Sequence, residues 1–247
     1  MKKSVLFALV CSLMLFASCK FSSLNYGGGS IIHPSDNIVK KEFKQPSFSK
    51  IDVDVVANVK FIQSQEGDYR VVLSAPDNYI DLFKFEVGGD ELDVDFTRDN
   101  INIEPKNVDI TIYSPTLSKL ENSGVASVEV DRLTTDELKL DNSGVGKIFF
   151  RGIKARVVKV DCSGVGGVEI SGTADEAQFE CSGVGSISAQ DLKATSVKAE
   201  VSGVGGIQCY AEKSIKGEVS GVGSLKYGGN PTEKKLERSG VGGISQL

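Results

Sequence analysis

The sequence contains no tryptophan and a single histidine, His33, in 247 residues. Without tryptophan, and with tyrosine sparse on the outward positions described below, a dedicated sugar-stacking groove loses its usual material. With His33 near the N-terminus, a histidine-based nucleophile–base pair is excluded from the folded part. Formal net charge is −5, from 28 Lys+Arg and 33 Asp+Glu of mixed distribution, so no basic stripe is available to neutralise a phosphate backbone. No nucleic-acid partner is expected. Cysteine is scarce as well. Of the five, Cys11 and Cys19 lie in the N-terminal segment, leaving Cys162, Cys181 and Cys209, an odd number that does not make a disulfide framework.

Lys2 and Lys3 precede an apolar run over residues 5–16, shorter than the roughly 20 residues a spanning helix needs. This is a targeting segment, residues 1–18. Its end, Leu15-Phe16-Ala17-Ser18-Cys19, resembles a bacterial lipobox, in which the cysteine carries the lipid and becomes the mature N-terminus. Cys19 is therefore the expected lipid attachment. Ordinary cleavage after Ser18, leaving a free thiol, is the alternative. Lys20 follows with no aspartate, compatible with sorting to the outer membrane, facing the periplasm or the outside. Residues 19–40, with Tyr26-Gly27-Gly28-Gly29-Ser30 among them, suit a flexible tether. Residues 41–247 form the expected folded domain.

Self-similarity dominates what is present. Ser-Gly-Val-Gly recurs at Ser123 (Ala126 in the last place), Ser143, Ser163, Ser182, Ser202, Ser220 and Ser239, in steps of 20, 20, 19, 20, 18 and 19 residues. A near-constant period of this length reads as one solenoid coil per repeat. Two residues before each serine stands an acid: Glu121, Asp141, Asp161, Glu180, Glu200, Glu218, Glu237. Four before it stands Lys119, Lys139, Lys159, Gln178, Lys198, Lys216 or Lys235. The intervening position is mostly apolar, as in Leu120, Leu140 and Val160, so polar and apolar residues alternate with period two. Alternation resumes after the corner at Val128, Ile148, Val168, Ile187, Ile207, Leu225 and Ile244. Each repeat is strand, glycine corner, strand and a variable return such as residues 131–137. No stretch shows a sustained helical period, so a crossover helix is unattractive. The reading is an all-β, single-stranded parallel β-helix with about 20-residue coils, seven of them over residues 117–247.

The corner glycines answer to geometry, positive φ and room for neighbouring coils. Immediately before each serine the alternation points inward, at Asn122, Asn142, Cys162, Cys181, Val201, Val219 and Arg238. Buried amides must be paired, so Asn122 and Asn142 are expected to bond each other or the corner backbone. Cys162 and Cys181 fall on adjacent coils about 4.8 Å apart, within disulfide reach by distance but with side chains in register pointing the same way. Buried thiols are favoured over a disulfide. Cys209 reads as inert core.

The acidic column could suggest shared calcium ions. The neighbouring lysines offset the repulsion between stacked acids instead, and no metal or cofactor is expected. The glycine pairs do not join a strand to a helix, so no nucleotide loop is read. No catalytic residues are assigned.

Residues 41–116 lose the repeat but keep alternation, as in Ile51-Asp52-Val53-Asp54-Val55, Leu92-Asp93-Val94-Asp95-Phe96 and Val108-Asp109-Ile110-Thr111-Ile112. They are expected to form a cap or degenerate coils. Phe48-Ser49-Lys50-Ile51-Asp52-Val53, Tyr69-Arg70-Val71-Val72-Leu73, Ile110-Thr111-Ile112-Tyr113-Ser114-Pro115-Thr116-Leu117 and the Ser-Gly-Val-Gly coils together resemble the auto-transporter adhesin head GIN domain family, over about residues 41–247. The resemblance implies a right-handed β-helix in an envelope protein, often a lipoprotein. It carries no ligand and no functional residues. The expectation is a non-enzymatic, lipid-anchored envelope protein that binds a glycan or protein. A self-associating scaffold is the alternative, and a carbohydrate-active β-helix enzyme comes third. Neither the oligomeric state nor the ligand is readable at this level.

Overall fold

The computed structural model describes residues 31–247; the expected targeting segment, Cys19 and the first part of the expected tether lie outside the described residues. Among the described residues seventeen strands join one sheet. The N-terminal part supplies β1 (Ile38–Lys44), β2 (Lys50–Val53), β3 (Val56–Gln63), β4 (Arg70–Pro76), a 3-10 turn at Asp77–Leu82, β5 (Phe83–Gly88), β6 (Glu91–Phe96) and β7 (Asp109–Ser114). The repeats supply β8 (Lys119–Asn122), β9 (Val125–Thr134), β10 (Glu137–Asn142), β11 (Val145–Cys162), β12 (Val165–Cys181), β13 (Val184–Val201), β14 (Val204–Val219), β15 (Ser224–Gly228), β16 (Glu233–Arg238) and β17 (Gly243–Gln246).

Equivalent positions of successive repeats pair in parallel. Asn142 stands on Asn122 and beneath Cys162, and Val145 stands on Val125 and beneath Val165. The result is a parallel β-solenoid of about six turns with ~20-residue coils; seven corners bound six circuits. The residues read as inward are buried: Leu120, Leu140, Val160, Phe179 and Ala199 on one side of the corner, Val128, Ile148, Val168, Ile187, Ile207 and Leu225 on the other. Contact along the stack, rather than left-handed backbone, explains the first glycine of each corner. A Cβ on Gly164 would sit on the carbonyl oxygen of Gly144, one coil below. The second glycine combines both demands at Gly166, where φ is +146° and a Cβ would strike Gly146. In the last coil the inward positions are taken by Arg238 and Gln246, both exposed.

The N-terminal part is both cap and coil. β2 pairs in parallel with β8, Lys50 against Lys119 and Asp52 against Glu121, while β3 pairs with β9, Val56 against Val125. Lys50-Ile51-Asp52-Val53-Asp54-Val55-Val56-Ala57 is thus a coil whose corner lacks glycine. Beyond it lies a further coil made by β6 and β7, pairing with β2 and β3 on their other side. Stack order therefore departs from chain order: the chain lays down β2 and β3, steps outward to β6 and β7, then returns across to β8. The outer coil is closed by antiparallel strands, β5 on β6 and β4 on β7, with β1 on β4. Antiparallel neighbours end the parallel stack at this edge without offering another coil-shaped template.

The cap reaches further back than composition suggests. Ile32 bridges Ile103, the Tyr79 hydroxyl donates to the Ile32 carbonyl at 2.5 Å, and Asn37 Nδ2 donates to Asp77. Residues 31–40, expected as tether, pack on the cap because the glycine-rich stretch stops at Gly29 and Ile32 supplies an apolar anchor, while Ile31 stays exposed.

Candidate binding face

The outward positions before each corner form two columns on one flat face. In register, the acids run Asp93, Asp52, Glu121, Asp141, Asp161, Glu180, Glu200, Glu218 and Glu237, nine in succession. Beside them run Glu91, Lys50, Lys119, Lys139, Lys159, Gln178, Lys198, Lys216 and Lys235. Two members of the acid column, Asp52 and Asp93, lie outside the 20-residue period and escape a repeat search.

Charge compensation holds only over part of this ladder. Lys119 reaches Glu121 at 2.8 Å and Glu91 at 3.2 Å, Lys139 reaches Asp141 at 2.8 Å and Lys235 reaches Glu237 at 3.2 Å. The hydrogen bonds to Glu121 and Glu91 hold the Lys119 ammonium well above its ordinary range, outweighing burial. At the next coil the pattern breaks. Lys159 turns away to Glu137 at 2.6 Å, and the lysine position one coil above holds Gln178. Lysine columns were expected to offset the acids throughout; here rotamer choice and one substitution leave Asp161 without an ion pair, as Glu180, Glu200 and Glu218 beyond it are.

At this break a shallow depression of about 170 Å³ opens, lined by Lys139, Asp141, Lys159, Asp161, Gln178, Glu180, Lys198 and Glu200, with Val160 and Phe179 at its floor. Asp161 Oδ1 is buried there without a hydrogen-bond partner. Burial, and then the charge of Asp141, raise its carboxyl above the ordinary value. Burial likewise raises Asp52, against a lowering hydrogen bond from Ser123. Chemically, the depression is a row of acceptors flanked by ammonium groups and suited to hydroxyls, amides or amines presented by a polymer. Among the described residues no cluster of three or more His, Cys, Asp or Glu side chains comes together as a metal site. His33 pairs with Glu104 at 2.8 Å on the cap, remote from this face in the stack.

The corner valine faces solvent. Val125, Val145, Val165, Val184, Val204, Val222 and Val241 are 49% to 86% exposed and form an unbroken ridge beside an outward serine column. The available signal was its identity: corner geometry calls for glycine, and nothing about the turn calls for valine seven times.

Inside, Asn122 and Asn142 are hydrogen-bonded to each other as expected. Cys162, Cys181 and Cys209 are buried free thiols. Cys162 is held well above the usual thiol range by its hydrogen bond to Cys181 and by burial; burial pushes Cys209 up to about 12.

Comparison with known proteins places this geometry among others. The family model for the putative auto-transporter adhesin, head GIN domain, matches residues 47–231. A crystal structure of a putative adhesin from Bacteroides fragilis NCTC 9343 is similar at 37% identity and TM-score 0.84, covering 87% of this chain and 100% of that one. A putative adhesin and a putative lipid binding protein, both from Parabacteroides distasonis ATCC 8503, share the fold at 20% and 21% identity, TM-scores 0.72 and 0.68, each covering 88% of this chain and 100% of its own. No curated protein matches.

Proposed function

The chain belongs to the putative auto-transporter adhesin, head GIN domain family, and from that premise we propose that it is a non-enzymatic binding module of the cell envelope whose charged face takes a polar polymer, a glycan or a protein segment, across the depression at Asp161. One observation carries the reading: in a ladder of nine acids, Asp161 has a carboxylate oxygen that is buried with no partner, beside the position where the lysine column is interrupted by Gln178. An incoming hydroxyl or N–H would satisfy that oxygen, and an unpaired buried acceptor costs about 1–3 kcal/mol until it is met. A rigid strand platform holds the groups at about 4.8 Å intervals without ordering cost on binding.

The test is an array of envelope glycans and proteins probed with the full chain, with mass spectrometry of every mixture. Saturable binding without product is the expected result. Gln178→Lys restores the lysine column and fills the depression, and should weaken binding about tenfold. Binding unchanged by Gln178→Lys would move the ligand elsewhere, and cleavage products would overturn the non-enzymatic reading. We also propose that Cys19 carries the lipid that tethers the module to the outer membrane. Among the described residues no helix is long and apolar enough to cross a membrane. Cys19→Ser should shift the protein from the membrane to the soluble fraction and abolish labelling by a fatty-acid analogue.

A further inference from the structure

We propose that the valine ridge is the seam of a lateral, parallel self-association, its occupant being the same ridge of a second copy of this chain. This does not rest on the ligand proposed for the charged face. Apolar stacking along the ridge accounts for some of its composition, but not for its uniformity. Serines and carboxylates are tolerated at neighbouring outward columns of the same corner, so polar residues stack there equally well, yet all seven corner valines are kept apolar and mostly about half exposed.

The protein already shows how the ridge is covered. At its cap end the column continues to Val56, in register with Val125. There Ile101, itself packed on the core, and Pro105 line the same surface. Val56 is half-buried, whereas every ridge valine beyond it is exposed. The open remainder spans six coil steps, about 30 Å at ~4.8 Å each. At roughly 100 Å² of apolar surface for a whole valine, it presents on the order of 400 Å². That is the size of the largest apolar patch on a typical monomer, about 300–600 Å² and often functional, and about half the ~800 Å² per partner of a standard stable interface. With the serine flank added it suits a weak, reversible dimer.

Periodicity selects the partner. The ridge repeats at the strand spacing, and a second copy carries the identical repeat, so the valines of one can abut the equivalent valines of the other along the full length. Charge selects the direction. On one side of the ridge lie the serines and then the unbroken acid column; on the other lie Ser127, Lys147, Gly167, Ser186, Gly206 and Ser224 and then a mixed column, Glu129, Phe149, Glu169, Ser188, Gln208 and Lys226, acidic at two places only. A two-fold axis parallel to the stack exchanges the sides and sets each acid column against this acid-poor flank. An antiparallel arrangement would set acid column against acid column.

Sedimentation velocity on the full chain should show weight-average mass rising toward the dimer between about 10 and 500 µM, the range expected for an interface this small. The triple variant Val165→Thr, Val184→Thr, Val204→Thr keeps β-branched stacking and should weaken association about tenfold with an unchanged circular-dichroism spectrum. A photo-crosslinking amino acid in place of Val145 should join peptides containing position 145 of both copies. A monomer across the whole range overturns the proposal, as does a dimer indifferent to the threonine substitutions. Crosslinks from position 145 to the Val222 peptide overturn the parallel arrangement.

Discussion

Asn122 Nδ2 donates to Asn142 Oδ1 at 2.8 Å, one coil above, and both amides are sealed in the core. Their column begins with Val94 and Val53 and ends, past the cysteines, with Val201, Val219 and Arg238. The same site in the coil thus accepts an amide, a thiol or a valine. Asn142→Val should cost about 1–3 kcal/mol in urea unfolding, because it strands the Asn122 donor. The double variant Asn122→Val, Asn142→Val should recover most of that loss, and an additive double variant would sink the ladder as an interacting pair.

Gly164 separates packing from backbone preference. It has no positive φ, but its missing Cβ leaves room for the backbone of Ser143 and Gly144. Gly164→Ala should cost about 3 kcal/mol or more, since only backbone shifts relieve the clash. Gly243→Ala, where nothing lies within 4 Å of the added carbon, should stay within about 0.5 kcal/mol. Equal costs at the two sites would remove stacking as the cause.

Asp161 gives a pH signature with a definite sign. Its folded-state carboxyl is raised, chiefly by burial and then by Asp141, so the native state binds the proton more tightly than the unfolded chain does. The group therefore penalises folding once ionised, and the penalty is relieved as pH falls through the raised value. Asp161→Asn should raise Tm at pH 7 by about 2–4 °C, taking a solvent-screened gain of up to ~1 kcal/mol. Its advantage should shrink between about pH 5 and pH 3. A benefit that grows on acidification would contradict the assignment.

Thiol chemistry should be silent in the native protein. Cys209 is pushed up to about 12 and Cys162 is held high by Cys181 and burial, so neither carries appreciable thiolate at pH 8, while Cys181, whose thiolate the Cys162 hydrogen bond favours, is sealed from reagent in the core. Iodoacetamide followed by peptide mapping should leave Cys162, Cys181 and Cys209 unmodified in buffer and label all three in guanidinium. A Cys162–Cys181 disulfide peptide from the native protein would overturn the free-thiol assignment.

The period, the corners, the strand alternation and the buried columns were legible from residue order alone, because neighbouring coils of a solenoid touch at a constant separation of about 20 residues. Whatever is written once per coil, such as Leu140 inward and Asp141 outward, is visible as a repeat. Contacts made at other separations left no such trace. Lys50 meets Lys119 and Glu91 only because the chain steps outward and returns, and that path is decided by where antiparallel strands can close an exposed edge. The side-chain choices of the candidate site belong to the same class: Lys159 bonds Glu137 rather than a stacked acid, and Asp161 is left alone, through rotamers selected in three dimensions. Valine at the corner was plain in the sequence, but its exposure was not, since a turn breaks the alternation that tells inside from outside and only the packed coil decides which way the side chain faces.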